Sequence, residues 1–153
     1  MARKYEHLFN LDPANANPLF SAENKEDSSL PNISQSLALM NSDVYDQSKI
    51  FLTAVLISPS SEKTFWVPDH RHQRDEIISF VGTDPENPKD LGAELFMTIE
   101  DEEYTITTSG SVYIPAGLDH CPLGWNWIER PFMFSILYLN GSYDTDEHDR
   151  HRE

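Results

Sequence analysis

Basic residues are scarce in this chain: 11 Lys and Arg stand against 26 Asp and Glu, for a formal charge of −15. An excess of acid on that scale opposes phosphate backbones and anionic lipid surfaces, so neither nucleic acid nor membrane is an expected partner. Cysteine occurs once, as Cys121, which excludes an internal disulfide and suits a reducing compartment, with the cytoplasm as the expected location. Long apolar runs are also missing. The longest, Phe51 to Ile57, is interrupted by Thr53 and falls far short of the roughly 20 residues of a helical membrane span. The opening residues Arg3-Lys4-Tyr5-Glu6-His7 are charged and do not read as the apolar stretch of a secretory signal.

What the chain does have is enough apolar material for one core. Hydrophobic residues make up 39% of 153 and aromatics 11%, which argues for a single folded domain rather than disorder. Residues 1–48 mix turn chemistry, as in Asp12-Pro13-Ala14-Asn15, with polar stretches and one apolar patch, Leu37-Ala38-Leu39-Met40. They read as an arm laid over the rest of the fold or over a partner subunit. From Lys49 to about residue 140 the pattern is β. Ile50 to Ile57 is near-continuously β-prone, as expected of a strand covered on both faces. Thr64 to Val67, Glu76 to Val81 and Ser111 to Ile114 are further strands, and Pro131 to Leu139 is another long apolar one. Ala93 to Ile99 and Tyr104 to Thr107 flank the acidic run Glu100-Asp101-Glu102-Glu103 as a hairpin. Many short strands without a long helix predict an antiparallel β-barrel or sandwich. Residues 141–153 form an acidic, polar tail in which His148 and His151 read as solvated.

The chemistry concentrates in Pro68-Asp69-His70-Arg71-His72-Gln73-Arg74-Asp75-Glu76. In an extended context side-chain direction repeats every second residue, so His70 and His72 project from one face with Cα atoms about 6.6 Å apart. Two imidazoles can close that span onto one metal ion at about 2.1 Å per bond. Glu76 shares their parity and can add a carboxylate oxygen, and His120, after Pro115-Ala116-Gly117, is a fourth candidate. By the same alternation Arg71 and Cys121 are expected to face away from the metal.

His70-x-His72 with Glu76 and then Gly82 resembles the first motif of the cupin superfamily, and Gly110, Pro115-x-Gly117 and His120 resemble the second. Thr64 stands where a glycine is customary, Gly82 and Gly110 are each offset by one residue, and Gly124 replaces an asparagine. All four ligand positions match. The resemblance implies an all-β, antiparallel jelly-roll barrel over residues 49–140. Inside it His70, His72, Glu76 and His120 would hold one divalent transition metal ion, for which Fe, Mn, Ni, Cu and Zn all suit the donor set. Four protein ligands on an octahedral ion leave two positions open for water, a small-molecule substrate or dioxygen.

The function expected from this is a small metal-dependent oxidoreductase of dioxygenase type, acting on a small oxygen-rich or aromatic molecule, with Glu76 doubling as a catalytic base. A metal-dependent lyase or isomerase is a close variant, and a non-catalytic metal or small-molecule binding or sensing module is the alternative class. Trp125 and Trp127 are expected at the pocket mouth, and Arg130 either meets an anionic ligand or pairs with a neighbouring acid. A homodimer is expected, formed at a sheet edge that the N-terminal arm can cover.

Overall fold

The structure, a computed structural model, describes residues 3–16 and 30–142. His148 and His151 lie outside the described residues. After one turn of 3-10 helix at Glu6–Leu8, the strands in chain order are β1 (Ala14–Asn15), β2 (Leu37–Met40), β3 (Phe51–Ile57), β4 (Thr64–Val67) and β5 (Glu76–Gly82). They are followed by β6 (Asp90–Ile99), β7 (Glu102–Thr108), β8 (Gly110–Ile114), β9 (His120–Ile128) and β10 (Phe132–Tyr138).

These strands form two antiparallel sheets, one of six in the order β1-β2-β3-β10-β5-β8 and one of four in the order β4-β9-β6-β7. The pairing is nested: β6 with β7, β5 with β8, β4 with β9 and β3 with β10. That is a long hairpin rolled on itself, the strand order of a jelly roll. Among the described residues no ladder runs from one sheet into the other. From the N-terminal segment, β2 pairs with β3 and β1 with β2, so Leu37–Met40 extends the six-stranded sheet beyond β3.

The core fills the space between the sheets. Alternation along each strand sends one set of side chains inward: Phe51, Thr53, Val55 and Ile57 from β3, and Phe132, Phe134, Ile136 and Tyr138 from β10. The expectation that β3 is covered on both faces is therefore corrected. Its other face, Leu52, Ala54 and Leu56, is only partly covered.

Neither β1, whose residues read as turn chemistry, nor β9 was expected as a strand. β9 contains Pro122, Gly124 and Asn126, none of which favours a sheet. It forms because β4 and β6 flank it on both sides and supply its ladder. Gly124 is required there, since a Cβ would meet the carbonyl oxygen of Thr64 at 2.0 Å and the ring of Phe96 at 2.7 Å. β9 also bulges. Met97 faces Leu123 while Ile99 faces His120, so β9 carries one residue more than β6 between those rungs. The extra residue falls at Cys121-Pro122, where the peptide bond is cis and Cys121 has φ +71°.

Candidate metal centre

Three short segments deliver the polar residues. His70 follows the end of β4, His120 begins β9, and the two exchange a reciprocal pair of backbone hydrogen bonds, each 2.9 Å. His72 lies two residues beyond His70, and its carbonyl accepts the Gly117 N–H at 2.7 Å. Gly117 has φ +84°, a left-handed conformation that suits glycine, and it closes the turn that leads to His120. Glu76 is the first residue of β5. It does not reach the site along one continuous strand, as its parity suggested, because the chain bends at Gln73-Arg74 before β5 starts.

All four side chains are buried: His70 is 2% exposed, His72 3%, Glu76 1% and His120 0%. His70, His72 and His120 each offer one ring nitrogen within 4.8 Å of the others, a cluster able to hold a metal ion. Ring centroids lie 4.8 Å apart for His70 and His72, 4.3 Å for His70 and His120, and 5.3 Å for His72 and His120.

Backbone carbonyls fix two of the rings. Nδ1 of His70 lies 2.8 Å from the oxygen of Pro68, and Nδ1 of His120 lies 3.0 Å from that of Leu118. A ring nitrogen that meets a carbonyl must carry the proton, which leaves Nε2 of a neutral imidazole with its lone pair free. Nε2 of His120 is buried and has no hydrogen-bond partner. Leaving a buried polar atom unsatisfied costs about 1–3 kcal/mol, and a metal ion would complete it. Burial also pushes the His120 pKa below the ordinary imidazole value, while the nearby Glu76 carboxylate pulls the other way. The ring is accordingly held neutral, the form a metal requires.

Glu76 is joined to the cluster through His72, with Oε2 2.9 Å from Nε2. The Tyr138 ring packs 5.3 Å from that of His72, directly across the ladder from Glu76. A second connection ties the two motif segments together. Oδ1 of Asp75 accepts the Ala116 N–H at 2.8 Å, and Oδ2 accepts the Tyr113 hydroxyl. The Tyr113 hydrogen bond first, and the Ala116 N–H second, hold the Asp75 carboxyl below the usual carboxylate range. Sequence reasoning did not single out Asp75. Its position between His72 and Glu76 was the available signal.

Two expectations about neighbours are corrected. Cys121 does not face outward: it is 4% exposed and lines a small cavity together with His70 and Glu76. The bulge explains this, since an extra residue breaks strand alternation and lets both His120 and Cys121 point inward. Trp125 does not stand at the mouth but lies in the core, 1% exposed, with its ring 6.1 Å from that of Trp66. Arg71 is half exposed with Asp119 at 3.9 Å, and Arg130 pairs with Asp90 at 2.5 Å. The cavity is completed by Val67, Ile78, Leu123, Phe134 and Ile136, and its free volume is about 10 Å³, room for about one water.

No family model matches the chain, and no curated protein matches it. Solved structures do. A recombinant oxalate oxidase in complex with glycolate superposes with a TM-score of 0.51 at 16% identity, over 89% of this chain and 61% of that one. A cupin superfamily protein from Desulfitobacterium hafniense gives a TM-score of 0.49 at 13% identity, over 86% of this chain and 93% of that one. An RmlC-like cupin family protein from Methanocaldococcus jannaschii, described as a double-stranded β-helix, gives 0.46 at 14% identity, over 75% and 86%. At such identities the likeness is one of fold alone. The similar structures are cupin superfamily proteins, and what this chain shares with the oxalate oxidase is the fold.

Proposed function

We propose that this chain is a small metal-dependent oxidoreductase of dioxygenase type, with residues 49–140 as the barrel around the site and residues 1–48 as an arm. His70, His72, His120 and Glu76 would hold one divalent transition metal ion. The observation that carries this reading is the buried Nε2 of His120, which lacks a partner beside two other buried imidazoles. Glu76 fits as the fourth ligand. Donor atoms in adjacent octahedral positions at about 2.1 Å from an ion stand about 3.0 Å apart, and Oε2 of Glu76 lies 2.9 Å from Nε2 of His72. When bound, the ion supplies Lewis-acid and redox chemistry.

The chain's own residues set the rest. The walls formed by Val67, Ile78, Leu123, Phe134 and Ile136 exclude bulk water and lower the local dielectric, which strengthens the pull of Glu76 on any acidic proton nearby. The Glu76 carboxylate would take that proton as general base. A cavity with room for about one water disfavours an aromatic ligand, and it would have to widen even for a small oxygen-rich one such as the glycolate bound by the oxalate oxidase of similar fold. Such a ligand, rather than nucleic acid or a membrane, is the partner proposed. A reducing, cytoplasmic setting suits the lone Cys121, which is buried and forms no disulfide.

A second reading, a non-catalytic metal and small-molecule binding module, is favoured by the same walls: beyond His70 and Glu76 they offer only the Cys121 thiol as an ionisable group. Metal analysis of the purified protein, followed by oxygen uptake after loading with Fe, Mn, Ni, Cu or Zn in the presence of small hydroxy acids and dicarboxylic acids, separates the two. Bound metal with ligand-dependent oxygen uptake supports the oxidoreductase. Bound metal and ligand without turnover selects the binding module, and turnover without oxygen uptake selects a lyase or isomerase.

A further inference from the structure

β9 carries a second bulge. Leu95 faces Trp125 while Glu94 faces Trp127, so Asn126 is the extra residue. Plain alternation would send Trp127 into the core beside Trp125; the bulge puts it on the outer face of the four-stranded sheet, 37% exposed. This is not the pocket mouth expected from the sequence. Trp127 lies seven residues along β9 from His120, roughly 20 Å at the rise of a strand. There it walls a cleft of about 420 Å³ with Pro59, Ser60, Ser61, Ile128 and Glu129. That volume falls among those of small-molecule sites, about 300–1,000 Å³. Reciprocal backbone bonds of 3.0 and 2.8 Å between Ser60 and Ile128 hold the floor of the cleft.

The walls carry a carboxylate, Glu129, and no Lys, Arg or His. Glu129 is exposed and, among the described residues, makes no ion pair. The bases nearest in sequence are engaged elsewhere. The Lys63 ammonium sits over the rings of Phe65 and Phe96, 5.5 and 5.3 Å from their centroids, and Arg130 pairs with Asp90. Phe65, Phe96 and Trp127 share one sheet face. At the two phenylalanines the chain supplies its own cation to the aromatic rings, whereas among the described residues it supplies none to Trp127.

We propose that this cleft binds a small quaternary ammonium cation, at a site separate from the metal centre. The face of an indole attracts a cation more strongly than any other side-chain ring, and the Glu129 carboxylate balances the charge. The methyl groups of a quaternary head pack on Trp127 and Pro59 and ask for no hydrogen-bond acceptor. A primary ammonium is more strongly hydrated and loses more on entering. An anion is opposed by Glu129 and by the −15 of the whole chain. A neutral sugar needs several hydrogen-bonding side chains, and the Ser60 hydroxyl is already engaged with the backbone of Glu62 at 3.3 and 3.5 Å. Ser61 and Glu129 are too few to replace its water. With one aromatic face and one half-solvated ion pair, the affinity is on the order of millimolar.

The test is a titration of the nitrogen-15-labelled full chain with choline, up to about 50 mM at constant ionic strength. It is read by NMR at the indole N–H signals of the three tryptophans. The Trp127 signal is the one lost in Trp127→Leu. Should that variant fail to fold, it is the signal that exchanges fastest with solvent, since Trp66 and Trp125 are 5% and 1% exposed. The expected result is a saturable shift at Trp127 with the other two unmoved and the bound metal unchanged. The uncharged carbon isostere of choline, 3,3-dimethylbutan-1-ol, should bind at least tenfold more weakly, and Glu129→Gln should weaken choline at least threefold. No saturable shift with choline, an equal response to the isostere, or saturation by methyl glucoside in preference to choline would each overturn the proposal. Wild-type affinity in a folded Glu129→Gln variant would do the same. Should that variant not fold, the comparison of choline with its isostere on the wild type decides alone.

Discussion

The two ends of the interior are built by the same strands and behave as opposites. Along the β5–β10 ladder the inward rungs run from Glu76 and Tyr138, through Ile78 and Ile136, to Phe80 and Phe134. β9 runs alongside from His120 to Leu123 and Trp125. At one end four ionisable side chains are packed out of water, which costs free energy unless a partner offsets it. At the other end Trp66 meets Phe134 edge to face at 5.0 Å, and burial itself stabilises. One end gives the fold its stability and the other draws on it.

Substitutions at each end should therefore fail differently. The largest effect is expected from His72→Ala, which should cut bound metal to under about a tenth of the wild-type stoichiometry, read by elemental analysis. The metal-dependent part of the thermal stability should vanish with it, whereas the metal-free protein should unfold much as before. Retained metal would remove His72 from the site. Phe132→Ala should cost about 3–5 kcal/mol in denaturant unfolding, with and without metal, because it opens a cavity at the apolar end, away from the site. An effect confined to the metal-loaded form would show that the two ends are one unit.

Asp75→Asn probes the join between the motif segments without touching a candidate ligand. Metal affinity should fall about 10- to 100-fold, since the Ala116 and Tyr113 hydrogen bonds that set the Pro115–Gly117 turn are weakened. An unchanged affinity, measured by competition with a chelator, would show that the backbone bridge alone places His120.

The smallest expected effect is that of pH on the metal-free protein. Burial lowers the His120 pKa below its unfolded value near 6.5, so in that window the unfolded chain binds more protons than the folded one. Stability should fall as the pH drops below about 6.5 and level off above it. Asp75 acts at lower pH: its depressed pKa favours the fold above the usual carboxylate value, and that contribution disappears as the pH falls through the folded value. A His120→Gln variant with the same pH profile would assign the slope elsewhere.

Much of this was legible in the residues. Runs such as Phe51–Ile57 and Phe132–Tyr138 announce strands because local propensity and burial agree there. The ligand types are likewise written in the spacing of His70, His72, Glu76 and His120. What could not be read depended on partners distant in sequence. β9 is a strand because two neighbours hold it, whatever Pro122 and Gly124 prefer. The inward turn of Cys121 and the burial of Trp125 follow from a bulge defined only against β6, so alternation counted along β9 alone gave the wrong side for Cys121.

The paired backbone bonds between His70 and His120 carry one last consequence. They join residues from opposite arms of the rolled hairpin, so the three imidazoles have no shared location until the second arm has come back across the first. During synthesis the ribosome must deliver the chain beyond β9 before those rings can meet. A half-made copy has no pocket to fill, and cation capture would then mark a molecule whose winding is complete.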